Sequence, residues 1–382
     1  MRLELTGRCS LRCVYCHAGH LNNPELFKDE LPLERLLRLV DEAKEMGINE
    51  FTITGGEPFL NLGWPQVIES CGEGSRVHIS TNGEHFTEEN VRIIHSLPQV
   101  REIRTSLDGF ESNDRVRKGN SGRRTLETLK RLRREFPDKG LMVQTTCYRQ
   151  NMSELESLYD ELKEVGITRW RLSQLWKTEL SEINKGQVDY ADYDEMFHVY
   201  KKVITRFQAD GRPFRLGIYN VYDSDITSED YVDMDLNVHP CKYQYRYLCV
   251  KTNGNLIFCP ALNIPMGSVR GMSIREALAK SQWLDNFGKL TVDSVQCAGC
   301  RYIKLCGGGC RADALGWFSK MNAIDPNSCC LMVRVEKEII PMLSPDEQAA
   351  YNRLIDRDGN LPVARGKNIL EAVEVAKCEK VN

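Results

Sequence analysis

Three cysteines near the start of the chain have the spacing of ligands to an inorganic group. They are Cys9, Cys13 and Cys16, separated by three residues and then by two. This spacing lets three thiolates converge on one small object from a single loop. A closed structural zinc site takes four protein ligands, and an ordinary 4Fe-4S cluster takes four thiolates. A cluster held by only three thiolates leaves one iron open to another ligand.

Zinc is the alternative at this site, because His17 and His20 follow at once and could supply a fourth ligand. The cysteine spacing alone does not choose between the two. A second feature does. The segment from Phe51 to Pro58 is a short β-branched strand that ends in Gly55, Gly56 and Glu57. Glycines at a strand end let a ligand approach the main chain closely.

Together, the three-cysteine loop and the Gly-Gly-Glu-Pro strand end resemble the radical S-adenosylmethionine (radical SAM) enzymes. In that family the amino and carboxylate groups of SAM chelate the open iron, and the glycine-rich strand end holds the amino group. The resemblance implies an enzyme that cleaves SAM reductively to a 5'-deoxyadenosyl radical, which abstracts hydrogen from a substrate carbon. The alternative for Glu57 is that it only caps the following turn.

The elements that must position these residues alternate between strands and helices over roughly the first 210 residues, as in an α/β fold with a parallel sheet. One predicted helix has Leu33, Leu36, Leu37, Val40 and Ala43 on one face. Six strands are expected, and six are too few for an eight-stranded barrel: Arg2 to Leu5, Glu50 to Thr54, Val77 to Ser80, Glu102 to Leu107, Leu141 to Thr146 and Arg169 to Leu172. The resemblance implies a partial (β/α)6 TIM-like barrel with its chemistry at the carboxyl ends of the strands.

The resemblance also implies SAM contacts at other strand ends. Tyr15 stands at the position beside the adenine, although a packing aromatic is the alternative. Ser106 and Arg117 are expected to bind the SAM carboxylate, a role that suits a guanidinium group, with Arg115 as a rival. The remaining expected cofactor-binding residues are Gly55, Gly56, Glu57, Ser80 and Asn82.

A second group of cysteines follows the barrel segment. The pattern Cys297-x2-Cys300-x5-Cys306-x3-Cys310, with further cysteines before and after it, resembles the SPASM extension of radical SAM enzymes. That resemblance implies two auxiliary 4Fe-4S clusters, held fully by protein. One would use Cys241, Cys249, Cys259 and Cys310, and the other Cys297, Cys300, Cys306 and either Cys329 or Cys330. A zinc ribbon at Cys297, Cys300, Cys306 and Cys310 is the alternative.

Composition and charge limit the other possibilities. With 382 residues, 41% hydrophobic and 27% charged, the chain has room for two globular domains. Its formal net charge of -3 disfavours general affinity for nucleic acid or membranes. Its fifteen cysteines without an export signal indicate ligands and reduced thiols in a cytoplasmic setting.

The expected domains are a radical SAM barrel at 1–215, a SPASM cluster domain at 216–343 and a C-terminal tail at 344–382. An acid-rich stretch from Asp223 to Asp235 joins the first two. A solvated linker is the plainer interpretation of these acids, and a surface for a basic leader peptide is the alternative.

The substrate is the least determined feature. SPASM enzymes mostly modify ribosomal peptides or proteins by cross-linking or oxidation, and some act on sugars, so a small-molecule dehydrogenase or epimerase is the alternative. Only eight residues precede Cys9, so peptide capture would need a separate recognition protein or an internal groove. Pro260 follows Cys259 where sulfatase-maturing relatives have an aspartate. The family also implies a reduced flavodoxin- or ferredoxin-type electron donor.

Cys147 ends the fifth predicted strand and belongs to neither auxiliary set. A thiol there could return a hydrogen atom to a substrate radical, as an epimerase requires. The alternative is a small buried core residue, since free cysteine is commonly buried.

Overall fold

All six predicted strands are present, with shifts of one or two residues at their ends. The computed structural model describes residues 1–16, 29–177, 179–229, 248–262, 264–282, 290–362 and 364–378. The chain divides into two compact units. The first unit comprises Met1–Gln144, Glu161–Arg169 and Tyr245–Asp285, and the second comprises Thr145–Asp160, Trp170–Gln244 and Asn286–Asn382.

The strands in chain order are β1 Arg2–Glu4, β2 Arg12–Cys13, β3 Glu50–Thr54, β4 Arg76–Thr81, β5 Val100–Ser106, β6 Arg117–Lys118, β7 Gly140–Cys147, β8 Arg169–Gln174, β9 Arg215–Ile218, β10 Tyr222–Asp223, β11 Cys249–Val250, β12 Asn255–Ile257 and β13 Pro265–Ser268. The α-helices are α1 Leu33–Glu45, α2 Trp64–Cys71, α3 Glu88–His95, α4 Glu111–Val116, α5 Gly122–Glu135, α6 Leu155–Val165, α7 Glu179–Ile183, α8 Tyr193–Ala209, α9 Ile274–Ala279, α10 Ile303–Cys306, α11 Arg311–Phe318, α12 Pro326–Arg334, α13 Pro345–Arg353 and α14 Ile369–Cys378.

The first unit is built on one sheet with the strand order β7-β5-β4-β3-β1-β11-β12-β13. The pairs from β7 through β1 to β11 are parallel, and β12 and β13 add antiparallel strands. The described residues therefore form an α/β fold with a large parallel sheet, as expected.

The two faces of this sheet differ in character. One row in register is Leu3, Ile53, Ile79, Ile103 and Leu141, and all five are fully buried. Side chains alternate between faces along a strand, so the neighbouring residues point the other way. There the row consists of polar residues, namely Arg2, Thr52, His78 and Glu102. We call the side of the sheet that carries this second row the polar face.

Helix α1 shows how the outer layer is attached. Its buried residues include Leu36, Leu39, Val40 and Ala43, close to the predicted apolar face. Arg35 is also buried, and its guanidinium donates to the carbonyls of Val269 and Met272 at 2.7 Å each. The helix is therefore held both by apolar burial and by a segment more than 230 residues later in the chain.

The second unit has strands β8, β9 and β10 and most of the later helices. Helix α8 buries Phe197, Tyr200, Val203 and Phe207. The expected C-terminal tail contains the two helices α13 and α14. No helix among the described residues is long and apolar enough to span a membrane.

Candidate functional site

The cysteine loop of the first unit begins where β1 runs alongside the end of β3. The amide of Leu5 donates to the Thr54 carbonyl at 2.8 Å. One step further, Gly56 donates to the Thr6 carbonyl at 2.7 Å and Glu57 to the Arg8 carbonyl at 2.8 Å. These bonds bring the glycine-rich strand end directly against the residue before Cys9.

Gly55 and Gly56 are required by this close approach. A Cβ at Gly55 would lie 2.4 Å from the Thr6 oxygen, and one at Gly56 would lie 2.3 Å from the Arg8 oxygen. Gly55 also has a φ of 149°, which disfavours other residues. Glycine is therefore needed at both positions because the backbone of Thr6 and Arg8 occupies the space of a side chain. The sequence pattern did not reveal this reason.

The far end of the loop is fixed by a short antiparallel pair. Cys13 in β2 is in register with Arg117 in β6, and the amide of Val14 donates to the Val116 carbonyl at 2.9 Å. The Cys16 amide then turns back to the Cys13 carbonyl at 3.3 Å. Both ends of the three-cysteine segment are thus held by backbone hydrogen bonds.

The three thiols lie half-buried and near one another. Burial raises the pKa of Cys9, and the neighbouring Cys16 adds to the effect. Burial raises the pKa of Cys13 to about 11, although the Arg117 charge opposes it. The Leu11 amide lies 3.5 Å and the Asn82 Nδ2 3.8 Å from the Cys9 sulfur, in positions to donate to a thiolate. A set of soft thiolates with N–H donors around it suits an iron-sulfur cluster.

A single metal ion fits less well. Within the described ranges, no three His, Cys, Asp or Glu side chains are arranged to hold one ion. Ligands to one zinc ion lie about 2 Å from a common point, whereas the irons of a cluster are spread out and accept thiolates that do not converge. His17 and His20, the possible zinc ligands, lie outside the described residues.

Glu57 is fully buried and organises the next strand end. Its carboxylate accepts from Thr81 Oγ1 at 2.9 Å and from the Asn82 amide at 2.8 Å. It also accepts from the Phe59 amide at 3.4 Å, so the expected cap is present. Burial raises the pKa of Glu57 to about 7, against the effect of these hydrogen bonds. Glu57 therefore positions the backbone of Asn82, whose side-chain Nδ2 faces Cys9.

Arg117, Tyr15 and Asp108 form a buried polar group beside the cysteines. Arg117 Nη1 donates to the Tyr15 hydroxyl at 3.0 Å and lies 3.8 Å from the Asp108 carboxylate. The Tyr15 hydroxyl in turn donates to Asp108. Despite burial, the charges of Tyr15, Cys13 and Asp108 raise the pKa of Arg117. Its Nε is buried and has no hydrogen-bond partner in the described structure, which leaves a donor for a ligand oxygen.

The rival Arg115 is exposed, and its Nε donates to the Glu111 carbonyl in its own helix. The structure therefore favours Arg117 as the arginine of this site. Ser80 and Ser106 lie at strand ends on the polar face, since Ser80 is in register with Arg104 and Ser106 follows on the same face of β5.

Asp108 and His85 were not predicted as site residues. In the sequence Asp108 stands two residues after Ser106 and has no role assigned to it, yet in the structure it holds both Tyr15 and Arg117. His85 lies 3.0 Å from the hydroxyl of Ser10, which also accepts from Asn82 at 3.1 Å. Nothing in the sequence indicates these contacts, because Ser10 lies 72 residues from Asn82 and 75 from His85, and Tyr15 lies 93 residues from Asp108.

Four cysteines of the second unit surround one small cavity. Cys297, Cys300, Cys306 and Cys329 line it together with Asp325 and Tyr302. Burial raises the pKa of Cys306 to about 12, and the Gly308 amide, which donates to its sulfur, opposes this. Gly308, the middle residue of the run Gly307-Gly308-Gly309, thus brings a backbone N–H to a sulfur.

Cys330 points elsewhere. Its sulfur lies 3.6 Å from the Ala364 carbonyl, and it does not line this cavity. Cys329, in contrast, has its pKa raised by burial and then by the charges of Cys306, Asp325 and Cys297. Of the two alternatives, Cys329 lies with the other three cysteines.

Arg311 supplies the positive charge near these thiols. It is 2% exposed, and its guanidinium donates to the carbonyls of Met321 at 2.8 Å, Ala323 at 2.7 Å and Gly308. Burial raises the pKa of Cys297 to about 11, and Arg311 is the largest opposing influence. The buried cation therefore favours the thiolate form that a cluster requires.

The other expected set is divided between the units. Cys249 and Cys259 belong to the first unit, and Cys259 is among the charges that raise the pKa of Cys249, after burial and against Arg2. Cys310 belongs to the second unit, where its amide donates to Asp325 at 2.7 Å. Cys241 lies outside the described residues, as do Asp230, Asp233 and Asp235 of the acid-rich stretch.

Cys147 lies on the opposite face of β7 from Gln144, by the alternation of the strand. It is 2% exposed and lines a second cavity beside Tyr193 and Met196 of helix α8. Because Gln144 is in register with Ser106, Cys147 is turned away from the polar face. This placement favours the core-residue alternative over hydrogen-atom donation.

The chain is similar to several known proteins. Residues 3–162 match the model of the radical SAM superfamily. The AdoMet-dependent heme synthase of Oleidesulfovibrio alaskensis is 25% identical over 325 residues, 81% of this chain and 81% of that protein. The PqqA peptide cyclase of Granulibacter bethesdensis is 23% identical over 372 residues, 94% of each chain. The structure of Streptococcus suis SuiB bound to the precursor peptide SuiA has a TM-score of 0.67 at 17% identity, covering 86% of this chain and 75% of that one.

Proposed function

We propose that this chain, which carries a radical SAM domain at residues 3–162, is an enzyme that modifies a ribosomal peptide or a protein by cross-linking or oxidation. The single observation that carries the proposal is the Cys9, Cys13 and Cys16 loop, held at both ends and faced by the Asn82 amide. When bound there, a reduced 4Fe-4S cluster with SAM would supply radical hydrogen abstraction.

The roles proposed for the residues follow from their contacts. Cys9, Cys13 and Cys16 would hold the cluster. Arg117 would bind the SAM carboxylate through its unpaired Nε, while Asp108 keeps the guanidinium in place. Ser80 and Ser106, at strand ends on the polar face, would line the SAM site, and Tyr15 would lie beside the adenine.

A peptide substrate is supported by the name of one similar protein. One relative is named a peptide cyclase and matches over 94% of both chains. The SuiB structure contains its precursor peptide, although the likeness at 17% identity speaks for the fold alone. We propose that the peptide is captured by a separate recognition protein or by a groove within this chain, and that a flavodoxin- or ferredoxin-type protein donates electrons.

A small-molecule substrate is the second candidate, and one observation favours it. The relative of Oleidesulfovibrio alaskensis is named a heme synthase and matches over 81% of this chain. A small-molecule enzyme would act without a precursor peptide, so the two candidates differ in what the purified enzyme consumes. Genes for a short peptide beside this one would favour the first.

We also propose two auxiliary clusters. Cys297, Cys300, Cys306 and Cys329 would hold one, since these four surround a common cavity next to the buried Arg311. Cys241, Cys249, Cys259 and Cys310 would hold the other. Three clusters of four irons correspond to about twelve irons per chain.

The test of the radical chemistry is anaerobic reconstitution followed by assay of 5'-deoxyadenosine with dithionite as reductant. We expect SAM-dependent 5'-deoxyadenosine from the intact chain and none from the Cys9→Ala/Cys13→Ala/Cys16→Ala variant, which should keep about eight irons. An intact chain that binds zinc instead of iron would exclude the proposal. Mass spectrometry of a candidate peptide after the reaction then tests the substrate class.

A matched pair of variants tests the auxiliary ligands. Cys329→Ala should lower the iron and sulfide content by up to about four irons per chain, because it removes one thiolate of a four-cysteine set. Cys330→Ala, at the neighbouring position, should leave both contents unchanged, because its sulfur faces Ala364. The opposite pattern would reassign the fourth ligand to Cys330.

A further inference from the structure

The second unit contains a small cavity that the proposed chemistry does not use. Its lining includes Gln174, Tyr190, Tyr193, Asp313, Trp317 and Asn327. Cys147 also lines it, and Cys147 is turned away from the polar face that carries Ser80 and Ser106. None of these lining residues is among those expected to bind SAM.

Asp313 at this cavity is 93% buried, being 7% exposed. Its carboxyl makes no hydrogen bond and no ion pair with any residue that the structure describes. Buried carboxyl groups in folded proteins are nearly always paired, because an unpaired polar group costs free energy. Gln174 adds a second unpaired acceptor, since its Oε1 is buried and lacks a hydrogen-bond partner among the described residues.

Of the described residues that line the cavity, Asp313 is the sole carboxylic acid, and none is a lysine, arginine or histidine. Burial and then the charge of the neighbouring Asp325 raise the pKa of Asp313, and the buried Arg311 opposes them. A cation is the ligand that would offset both the burial and the repulsion between the two acids.

Two half-buried aromatic rings line the cavity. The rings of Tyr190 and Trp317 are 5.7 Å apart at 54°. Lys177 lies over the Trp317 ring with its Nζ 4.3 Å from the centroid, which shows that this indole accepts a cation on a face. Aromatic walls with one carboxyl group behind them form a recognition site for an ammonium group.

The size of the cavity selects among cations. It has room for roughly one water-sized group. A primary ammonium group is of that size, whereas a planar guanidinium or a quaternary ammonium is larger.

We propose that this cavity is a binding site for a primary alkylammonium group, which Asp313 and Gln174 Oε1 bind as acceptors and Tyr190 and Trp317 enclose. If the substrate is a peptide, a lysine side chain is the natural source of this group, and that identification rests on the proposed function. A free alkylamine is the other source of the same chemistry.

Saturation-transfer NMR on the reconstituted protein without SAM tests the site with n-butylammonium as the probe and n-butanol as its neutral counterpart. We expect n-butylammonium to bind and n-butanol to fail to displace it. Asp313→Asn should weaken binding by at least about tenfold, the effect of losing a buried charge-assisted hydrogen bond. Glu374→Gln removes an acid that is 72% exposed on helix α14 and should change nothing.

Equal binding of n-butanol, or unchanged affinity in Asp313→Asn, would overturn the proposal and leave an ordinary water site. If Asp313→Asn loses iron or helical circular dichroism, Trp317→Leu replaces it, with an expected loss of about twofold to fivefold. Unchanged affinity in that variant would also overturn the proposal.

Competition with two peptides decides the source of the ammonium group. One is acetyl-Ala-Lys-Ala-amide, and the other is the same peptide with norleucine in place of lysine. Displacement of n-butylammonium by the lysine peptide alone supports a peptide ligand, and displacement by neither restricts the site to free amines. Because the probes are read without SAM, a failure here is separable from a failure to form 5'-deoxyadenosine.

Discussion

At the scale of single residues, Glu57 shows how one buried carboxyl group can tie a cysteine loop to a neighbouring strand. It receives hydrogen bonds from Thr81 and from the Asn82 amide, and its own amide donates to the Arg8 carbonyl. A residue that appears in the sequence as part of a ligand-binding motif is thus also a structural support of that motif.

The raised pKa of Glu57 predicts that the free energy of unfolding depends on pH. Its pKa rises from 4.5 to about 7 on folding, so the folded protein binds a proton more tightly than the unfolded chain. Its contribution to stability is therefore present at low pH and lost as the pH rises through 7. Between pH 5.5 and 8, the free energy of unfolding of the wild-type protein should fall by roughly 2 kcal/mol relative to that of Glu57→Gln.

The measurement is anaerobic urea denaturation of both proteins at each pH, with the difference between them as the result. A difference that is constant across this range would show that Glu57 is ionised throughout. A difference that grows in favour of the wild-type protein would contradict the direction of the pKa shift.

At the scale of elements, the C-terminal segment supports the second group of cysteines. The Arg301 amide donates to the Asn360 carbonyl at 2.9 Å, and the Asn360 amide donates to the Gly299 carbonyl at 2.9 Å. Cys300 is paired with Asn360 in an isolated bridge. The segment expected as a tail thus runs beside the loop from Cys297 to Cys306.

Gly359 is the point of closest approach in this pairing. A Cβ there would lie 2.7 Å from the Cα and the amide nitrogen of Arg301. Gly359→Ala should therefore destabilise the protein by roughly 1–3 kcal/mol, as overpacking does, and should lower iron retention. Gly316→Ala is the matched control, since nothing lies within 4 Å and the site is helical. It should raise stability by up to about 1 kcal/mol.

Urea denaturation and iron analysis of the two variants decide this point. Equal stability of Gly359→Ala and Gly316→Ala would show that the two segments can separate without cost. Loss of stability without loss of iron would mean that the pairing supports the fold but not the cysteine loop.

At the scale of the whole molecule, the first unit is completed by a part of the chain that returns late. Strand β11 pairs in parallel with β1, placing Cys249 opposite Arg2. Lys251 Nζ lies 2.9 Å from the Glu4 carboxylate, and both side chains are buried. The domain boundary expected at residue 215 stays a prediction. Residues Tyr245–Asp285, which follow that boundary in the chain, belong to the first unit.

The buried ion pair between Lys251 and Glu4 predicts how much stability is lost when one of its two charges is removed. Lys251→Met removes the cation that faces Glu4, and the variant should lose roughly 3–5 kcal/mol of stability. Adding Glu4→Gln should recover much of the loss, because the remaining charge is then also removed. Thermal unfolding of the single and double variants measures this. Additive losses would show that the two residues are not coupled.

Much of the fold was predictable because its causes are local. The six strands and the apolar face of helix α1 follow from side-chain periodicity, which is written in consecutive residues. Errors occurred where tertiary contacts compete with local preferences. Ser153 and Glu156 have the spacing of a capping box for the helix after β7, but a short 3-10 turn at Arg149–Glu154 precedes that helix, and there the Asn151 side chain accepts from the Tyr148 amide at 2.9 Å.

The sequence by itself determined that Cys9, Cys13 and Cys16 share one site, because they are so closely spaced that one loop must carry them all. Only the tertiary structure decided what distant segments do to one another: that Gly55 and Gly56 admit backbone, that Asp108 holds Arg117, and that Cys329 rather than Cys330 joins three other cysteines. Spacing fixes which residues share a loop, whereas the orientation of adjacent side chains depends on the helix and the partners that the folded chain places beside them.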